Sequence, residues 1–343
     1  MNIKPVYILG IESSCDETSA AVTRGDKILA NIIAGQSVHQ AWGGVVPELA
    51  SRAHQQNIIP VVHEALHKAK LNKQQLSAVA FTRGPGLIGA LLVGTSFAKS
   101  FALALGIPII EVNHMQAHVL ANFASNENHK DFIPPSFPFL CLTVSGGHTQ
   151  IVLVKNHDQM QVIGQTTDDA AGEAFDKAAK MLGLPYPGGP LIDKYAKTGD
   201  SLSFRFPKPE SPELNYSFSG LKTAILYFLQ KQKLADPDFI ERNLSDLCAS
   251  IQYTIVEILL HKLKIASVQT GIKNIALAGG VAANSALRDA VIQQQILSNW
   301  VVHIPPMEYC TDNAAMIALS GYYKYLNKDF ASQDIAPVAR YPF

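Results

Sequence analysis

One layout occurs twice in this 343-residue chain, and it constrains the fold more than any other feature. Val6 to Ile11 reads as an apolar strand, Glu12 to Thr18 (ESSCDET) as a polar turn, and Ser19 to Thr23 as a returning strand. Phe139 to Val144, Ser145-Gly146-Gly147-His148 and Thr149 to Val154 repeat that order. Strands then alternate with helices, which points to α/β architecture. Two duplicated α/β lobes with a ligand in the cleft between them are therefore expected. The polar, proline-bearing segment Ser125 to Pro138 (SNENHKDFIPPSFP) is the best boundary between them.

Within the first half, Ile109 to Val112 reads as a strand and His118 to Phe123 as a helical segment, with His114 and His118 at their junction. Histidines four residues apart near a helix start lie about one turn apart on one face, where two neutral imidazoles can bind one metal ion. The spacing matches the zinc-protease H-E-x-x-H, but Met115 stands where that motif needs its glutamate base. The pair thus reads as a metal clamp without protease machinery, against the blander reading of two ordinary histidines. Asp312, ahead of a closing helix, is a candidate third ligand, because two histidines and one carboxylate make a sensible open site.

Several other stretches carry a functional and a structural reading side by side. Asp16 and Glu17 in the first hairpin turn either hold a phosphate-bound metal or supply a general base, or form a solvated turn. Gly43-Gly44-Val45-Val46-Pro47 leads into a helix from about Glu48 to Lys70, whose Arg52 and His54 either face a site or, as the expected reading, lie on an exposed face. Gly84 to Gly89 joins a strand to a small-residue helix, for ligand approach or for close packing. Asp176 and Lys177 follow an acid-rich helix start and are either ligand-facing or, as the expected reading, on a solvated face, while Tyr186 to Pro190 turns into a helix carrying Asp193. Ser217 to Thr223 (SFSGLKT) lacks the first glycine and spacing of a P-loop. Strand Asn274 to Ala278, the Gly279-Gly280 turn and Asn284 form either a seat for a nucleotide's sugar and base or a plain helix cap.

Composition narrows the class. Lys+Arg and Asp+Glu are balanced at 28 each, so any nucleic-acid contact needs a local basic patch or a partner. Hydrophobic residues make up 48% and charged residues 16%, as in a well-packed enzyme. Cys15, Cys141, Cys248 and Cys310 are scattered without C-x-x-C spacing, which fits a reducing cytosol. No signal-peptide pattern precedes the first strand. The apolar tract Ala90 to Ile110 holds Thr95, Ser96, Lys99 and Ser100 and reads as a buried helix plus strand.

GIESSCDET, VNHMQAH, VSGGHTQ, AAGEAFDKAAKMLGLPYPGGP, SFSGLKT, AGGVAAN and CTDNAAM occur in that order across nearly the whole chain. Together they resemble the bacterial TsaD family of tRNA N6-adenosine threonylcarbamoyltransferases. The resemblance implies the actin, hexokinase and heat-shock ATPase fold (ribonuclease H-like), with lobes over residues 1–130 plus 305–343 and over 131–304. It implies transfer of a threonylcarbamoyl group from threonylcarbamoyl-AMP to N6 of the adenosine immediately 3′ of the anticodon, in tRNAs reading ANN codons, in the cytoplasm.

By the same resemblance, His114, His118 and Asp312 hold one divalent metal, usually Fe2+, with Zn2+ or Mg2+ as alternatives. Thr143, Val144, Ser145, Gly146, Gly147, Asp176, Gly189, Asp193 and Asn284 contact the nucleotide, and Asp16 and Glu17 match acids needed for activity. Asp16 is the nominated base. Thr143 stands where archaeal and eukaryotic relatives carry a metal-binding tyrosine, so water or substrate phosphate is expected there. Expected partners in trans are tRNA, an inactive paralogue (TsaB), a P-loop ATPase (TsaE) and a separate synthase that supplies the donor. An ATPase or small-molecule kinase on the same fold is the nearest alternative, then a metalloprotease, then a non-catalytic scaffold.

Overall fold

Strand β1 (Tyr7–Glu12) is buried along nearly all its length, as a strand covered on both faces must be. The computed structural model describes residues 5–35, 44–129 and 132–343; Gly43, Lys130 and Asp131, named above, lie outside them. The chain continues through β2 (Thr18–Arg24), β3 (Lys27–Ala34), α1 (Pro47–Lys68), β4 (Ala78–Gly84), α2 (Ile88–Leu105), β5 (Ile109–Asn113) and α3 (His114–Leu120). Next come β6 (Phe139–Val144), β7 (Thr149–Val154), β8 (Met160–Gln165), α4 (Ala171–Met181), α5 (Gly188–Ala196) and α6 (Ser219–Ala235). They are followed by α7 (Phe239–Arg242), α8 (Leu244–Thr270), β9 (Asn274–Ala278), α9 (Ser285–Leu297), β10 (Val301–His303) and α10 (Ala314–Leu326).

The strands form two five-stranded sheets, ordered β3-β2-β1-β4-β5 and, read from its other edge, β8-β7-β6-β9-β10. In each, the first strand pairs antiparallel with its hairpin partner and parallel with a strand reached by a crossover. The duplication sensed in the two hairpins is thus a duplication of whole-sheet topology, extended by the third strands β3 and β8 that the sequence pattern did not single out. The chain divides into two compact units, Met1–Pro135 with Asn156–Met160 and Pro305–Phe343, and Ser136–Lys155 with Gln161–Ile304.

In the first unit, strand alternation sorts β1 between two cores. Ile8 joins Ala80, Ile110 and the buried face of α10, whereas Leu9 and Ile11 join Val22, Phe81 and the inner faces of α1 and α2. Gly10 faces α10 so closely that a Cβ there would lie 2.5 Å from the Ala314 carbonyl oxygen. That contact seats the N-terminal end of α10, and with it Asp312, against the sheet. Helix α2, with mean hydropathy 1.6, is long and apolar enough by composition to cross a membrane. It packs on β4 and α1 through Ala90, Leu91, Ala98 and Ala102.

Candidate metal centre

Two asparagine caps place the three candidate ligands. β5 ends at Asn113, whose side-chain oxygen accepts the amides of Met115 (2.9 Å) and Gln116 (3.2 Å). That cap starts α3 at His114, earlier than the helical segment expected from His118, which ends instead in a short 3-10 turn over Ala121–Phe123. Both histidines therefore sit on one helical turn. Asn313 caps α10 in the same way through the Met316 amide (3.1 Å), with Asp312 just outside the helix.

The donor atoms converge. His118 Nε2 lies 3.1 Å from His114 Nε2 and 2.9 Å from Asp312 Oδ1, and His114 Nε2 lies 3.4 Å from the same oxygen. Donors about 2.1 Å from one ion stand about 3.0–3.4 Å apart in octahedral or tetrahedral shells, so this triangle fits a divalent cation. Histidine nitrogens and a carboxylate suit iron(II) or zinc. His118 is fully buried and its Nδ1 has no hydrogen-bond partner among the described residues.

Negative charge gathers around the triangle. Burial opposes charge on His114, but Glu12 and Asp312 outweigh it and hold the imidazole well above its ordinary pKa. Burial likewise opposes charge on Asp312, yet His114 and His118 hold it well below the ordinary range. Glu17, half-buried, is pushed up to about 9 by burial, then by Asp312 and by Asp16, with which it shares a hydrogen bond. Two imidazoles between the lowered carboxylates of Glu12 and Asp312 make a nest of the kind a bound cation neutralises.

Two residues here depart from the sequence reading. Glu12 belongs to β1, not to the polar turn, and is fully buried with Oε2 3.0 Å from His114 Nδ1. His54 does not face solvent; it is fully buried, with Nδ1 2.7 Å from Thr18 Oγ1 and Nε2 3.1 Å from the Cys15 carbonyl oxygen. It thereby braces the loop that carries Asp16 and Glu17. Burial decides both roles, and a single polar letter in a sequence does not reveal burial.

The other candidates lie in the second unit, some at the carboxyl ends of β6 and β9 and the rest on α4 and α5. Val144 ends β6, and Gly279, at φ +85°, passes so close that a Cβ would meet the Val144 carbonyl oxygen at 2.4 Å. Thr143 is fully buried, its hydroxyl 3.7 Å from Cys141 Sγ. Ser145 closes the hairpin turn by donating its amide to the His148 carbonyl (2.8 Å), and its own carbonyl accepts the Gly172 amide (3.2 Å). A Cβ at Gly146, Gly147 or Gly280 would meet nothing within 4 Å, so bare backbone faces open space there.

The acids of this unit serve helix starts. Asp176 is half-buried rather than on a solvated face, and its Oδ1 accepts the amides of Gly188 (2.8 Å) and Gly189 (3.1 Å) at the start of α5. Burial raises its pKa although those amides pull the other way. Asp193 accepts Ser285 Oγ (2.7 Å) at the start of α9. Asn284 caps α9 through the Leu287 amide (3.0 Å) and donates to Gln252 Oε1 (2.8 Å), which leaves one lone pair and one N–H for a ligand.

Two sheets of shared strand order, each opening on a hairpin, define a protein of the actin- and hexokinase-like ATPase-fold class. Solved structures agree: HypF from T. kodakarensis superposes with a TM-score of 0.61 at 13% identity, over 96% of this chain and 49% of that one. Component A of (R)-2-hydroxyglutaryl-CoA dehydratase from Acidaminococcus fermentans gives 0.56 at 16% identity, over 94% and 99%. The sequence model of the TsaD family, described as tRNA N6-adenosine threonylcarbamoyltransferase, matches residues 27–319. Proteins of that description from Christiangramia forsetii and Cytophaga hutchinsonii are 60% and 59% identical, covering 100% and 98% of this chain and 100% and 96% of their own. This chain belongs to the TsaD family.

Proposed function

We propose that the protein transfers the threonylcarbamoyl group of threonylcarbamoyl-AMP to N6 of the adenosine immediately 3′ of the anticodon in tRNAs reading ANN codons. The observation that carries this is full-length likeness to threonylcarbamoyltransferases in a chain whose His114, His118 and Asp312 form a metal-sized triangle. An ATPase or kinase on the same fold has no need of that triangle, and a protease would need a base at Met115.

The two compact units are read as the duplicated lobes expected over 1–130 with 305–343 and over 131–304, with residues 132–135 and 156–160 clustering with the first. In the second, the bare backbone at Gly146, Gly147 and Gly280 receives the nucleotide, with Thr143, Val144, Ser145, Asp176, Gly189, Asp193 and Asn284 around it. In the first, His114, His118 and Asp312 would hold a divalent metal, Fe2+ by family resemblance with Zn2+ or Mg2+ as alternatives, which would supply Lewis-acid neutralisation of developing negative charge. Adenine N6 forms the new C–N bond, the carbonyl–phosphate bond breaks, and AMP leaves with its electron pair. The N6 proton must be accepted as that bond forms. Asp16, one of the two acids that the family resemblance ties to activity, is nominated as that base. The target adenosine leaves its stack to reach these groups.

The partners expected in trans are the TsaB-type paralogue, the TsaE-type ATPase and the donor synthase, and four free cysteines suit the reducing cytoplasm. The deciding experiment is nucleoside mass analysis of unmodified tRNA incubated with threonylcarbamoyl-AMP, this protein and its partners, beside His114→Ala. A threonylcarbamoyl increment on adenosine, lost in the variant, establishes the transferase and its metal clamp. No increment in either, with ATP turnover intact, replaces this reading with a kinase-fold ATPase.

A further inference from the structure

We infer that Glu12 is the positioning residue that sets His114 as a metal ligand. The inference rests on the reading of His114, His118 and Asp312 as metal ligands and goes one shell beyond it. Glu12 closes β1, and because Ile11 pairs with Phe81 in the parallel β1–β4 register, its side chain emerges beside Thr82. Thr82 Oγ1 donates to Glu12 Oε2 at 2.6 Å, and the Ser14 amide donates to Oε1. The carboxylate is thus pinned at both oxygens inside a fully buried site.

Oε2 also lies 3.0 Å from His114 Nδ1. A carboxylate only accepts, so Nδ1 carries the proton and the lone pair of a neutral ring falls on Nε2. Nε2 is the atom that lies 3.1 Å from His118 Nε2 and 3.4 Å from Asp312 Oδ1. The imidazole stands between Glu12 and the ligand triangle, so Glu12 is placed to orient a ligand and not to be one. A carboxylate behind a ligating histidine selects its tautomer, fixes its ring plane and raises its basicity, and losing one typically costs 10–100-fold in metal affinity. His118 has no such support, because its Nδ1 has no partner among the described residues. The Ser14 hydroxyl also lies 3.2 Å from His114 Nδ1, but it is neutral and the Ser14 amide is itself bonded to Glu12, so the charged anchor of the pair is Glu12.

The test is competition of the full-length metal-free protein with a chromophoric chelator for Zn2+, together with 15N NMR of the histidine rings. Wild type, Glu12→Gln, Glu12→Ala and His118→Ala are compared. Wild type is expected to bind one Zn2+ with the His114 proton on Nδ1. Glu12→Gln, which keeps the shape and removes the charge, is expected to weaken Zn2+ roughly 10–100-fold and to mix the tautomers of His114. A merely structural Glu12 would change the melting temperature but neither the affinity of the folded protein nor the tautomer. If wild type binds no Zn2+, or binds it as well after His118→Ala, the metal-site reading falls and this inference with it. If wild type binds through His118 and Glu12→Gln binds equally tightly with the same tautomer, the site stands and the role of Glu12 is overturned. Should both Glu12 variants fail to fold, Thr82→Val removes only the hydroxyl that pins Oε2. Weaker Zn2+ binding in that variant supports the inference, and unchanged binding overturns it.

Discussion

Asn113 donates its side-chain amide to the carbonyl oxygen of Pro342 at 2.8 Å while its side-chain oxygen caps the helix of His114 and His118. One residue therefore ties the C-terminal segment to the start of the ligand helix. The same segment lies along β4 and α2, where the Val338 amide donates to the Arg83 carbonyl and Lys99 Nζ to the Ile335 carbonyl. Asn113→Ala loses cap and tether and is expected to cost about 1–2 kcal/mol in urea unfolding. Asn113→Ser keeps a capping oxygen and loses the reach to Pro342, so its loss should be smaller, about 1 kcal/mol. Equal losses would show that the cap contributes nothing.

His54→Ala should do more harm than its size suggests. The Cys15 carbonyl accepts from Nε2–H and Nδ1 accepts from the Thr18 hydroxyl, so truncation opens a cavity and strands two buried polar groups. A loss of about 2–4 kcal/mol is expected from chemical denaturation. Because that histidine braces Asp16 and Glu17, kcat should fall even under conditions where the variant is fully folded.

Glycines of the second unit should separate into two classes. Gly279→Ala faces both φ +85° and the Val144 carbonyl oxygen and should cost upwards of about 2 kcal/mol. Gly146→Ala and Gly280→Ala meet nothing nearby and should leave stability within about 0.5 kcal/mol. If bare backbone there receives the nucleotide, the latter two should nonetheless bind AMP more weakly by calorimetry. Unchanged AMP affinity in both would remove the cradle.

Asp169 should contribute a small acid-sensitive increment. Burial opposes its charge, but Lys177 at 2.9 Å and Lys222 at 3.5 Å outweigh burial and lower its pKa below 3.8. A depressed carboxylate stabilises the fold above its unfolded pKa and loses that effect as pH falls through the folded value. Asp169→Asn should therefore cost about 1 kcal/mol near neutrality and nothing at the lowest pH where the protein stays folded. A constant difference across pH would mean that packing, not charge, is involved.

Metal should stabilise the first unit in proportion to the logarithm of its concentration above Kd. Calorimetric melting in rising Zn2+ is expected to show this for wild type and not for His118→Ala. An identical rise in both would place the ion elsewhere.

Much of this was legible in sequence wherever the relevant physics is local. An i, i+4 histidine pair must share a helical face, and apolar strands around a small polar turn must form a hairpin. Full-length motifs extended that reading to the fold and the family. Asp312 is reached only through donor chemistry and the family motif, since it lies 194 residues from His118 and no spacing rule spans that distance.

The residues misread were those whose role depends on burial. Glu12 looked like the first letter of a polar turn, His54 like part of an exposed helix face, and Asp176 like a solvated acid. Each accepts or donates to groups distant in the chain, and an isolated buried polar group is tolerated only when such partners exist. The sequence by itself determined the duplicated α/β pattern and the local geometry of the histidine pair, because backbone sterics and near-neighbour hydrogen bonds set both. Only the tertiary structure decided which charged and polar side chains are sealed from water. That depends on which strands and helices close over them, as β4 does beside Glu12 and α1 beside the Cys15–Thr18 loop.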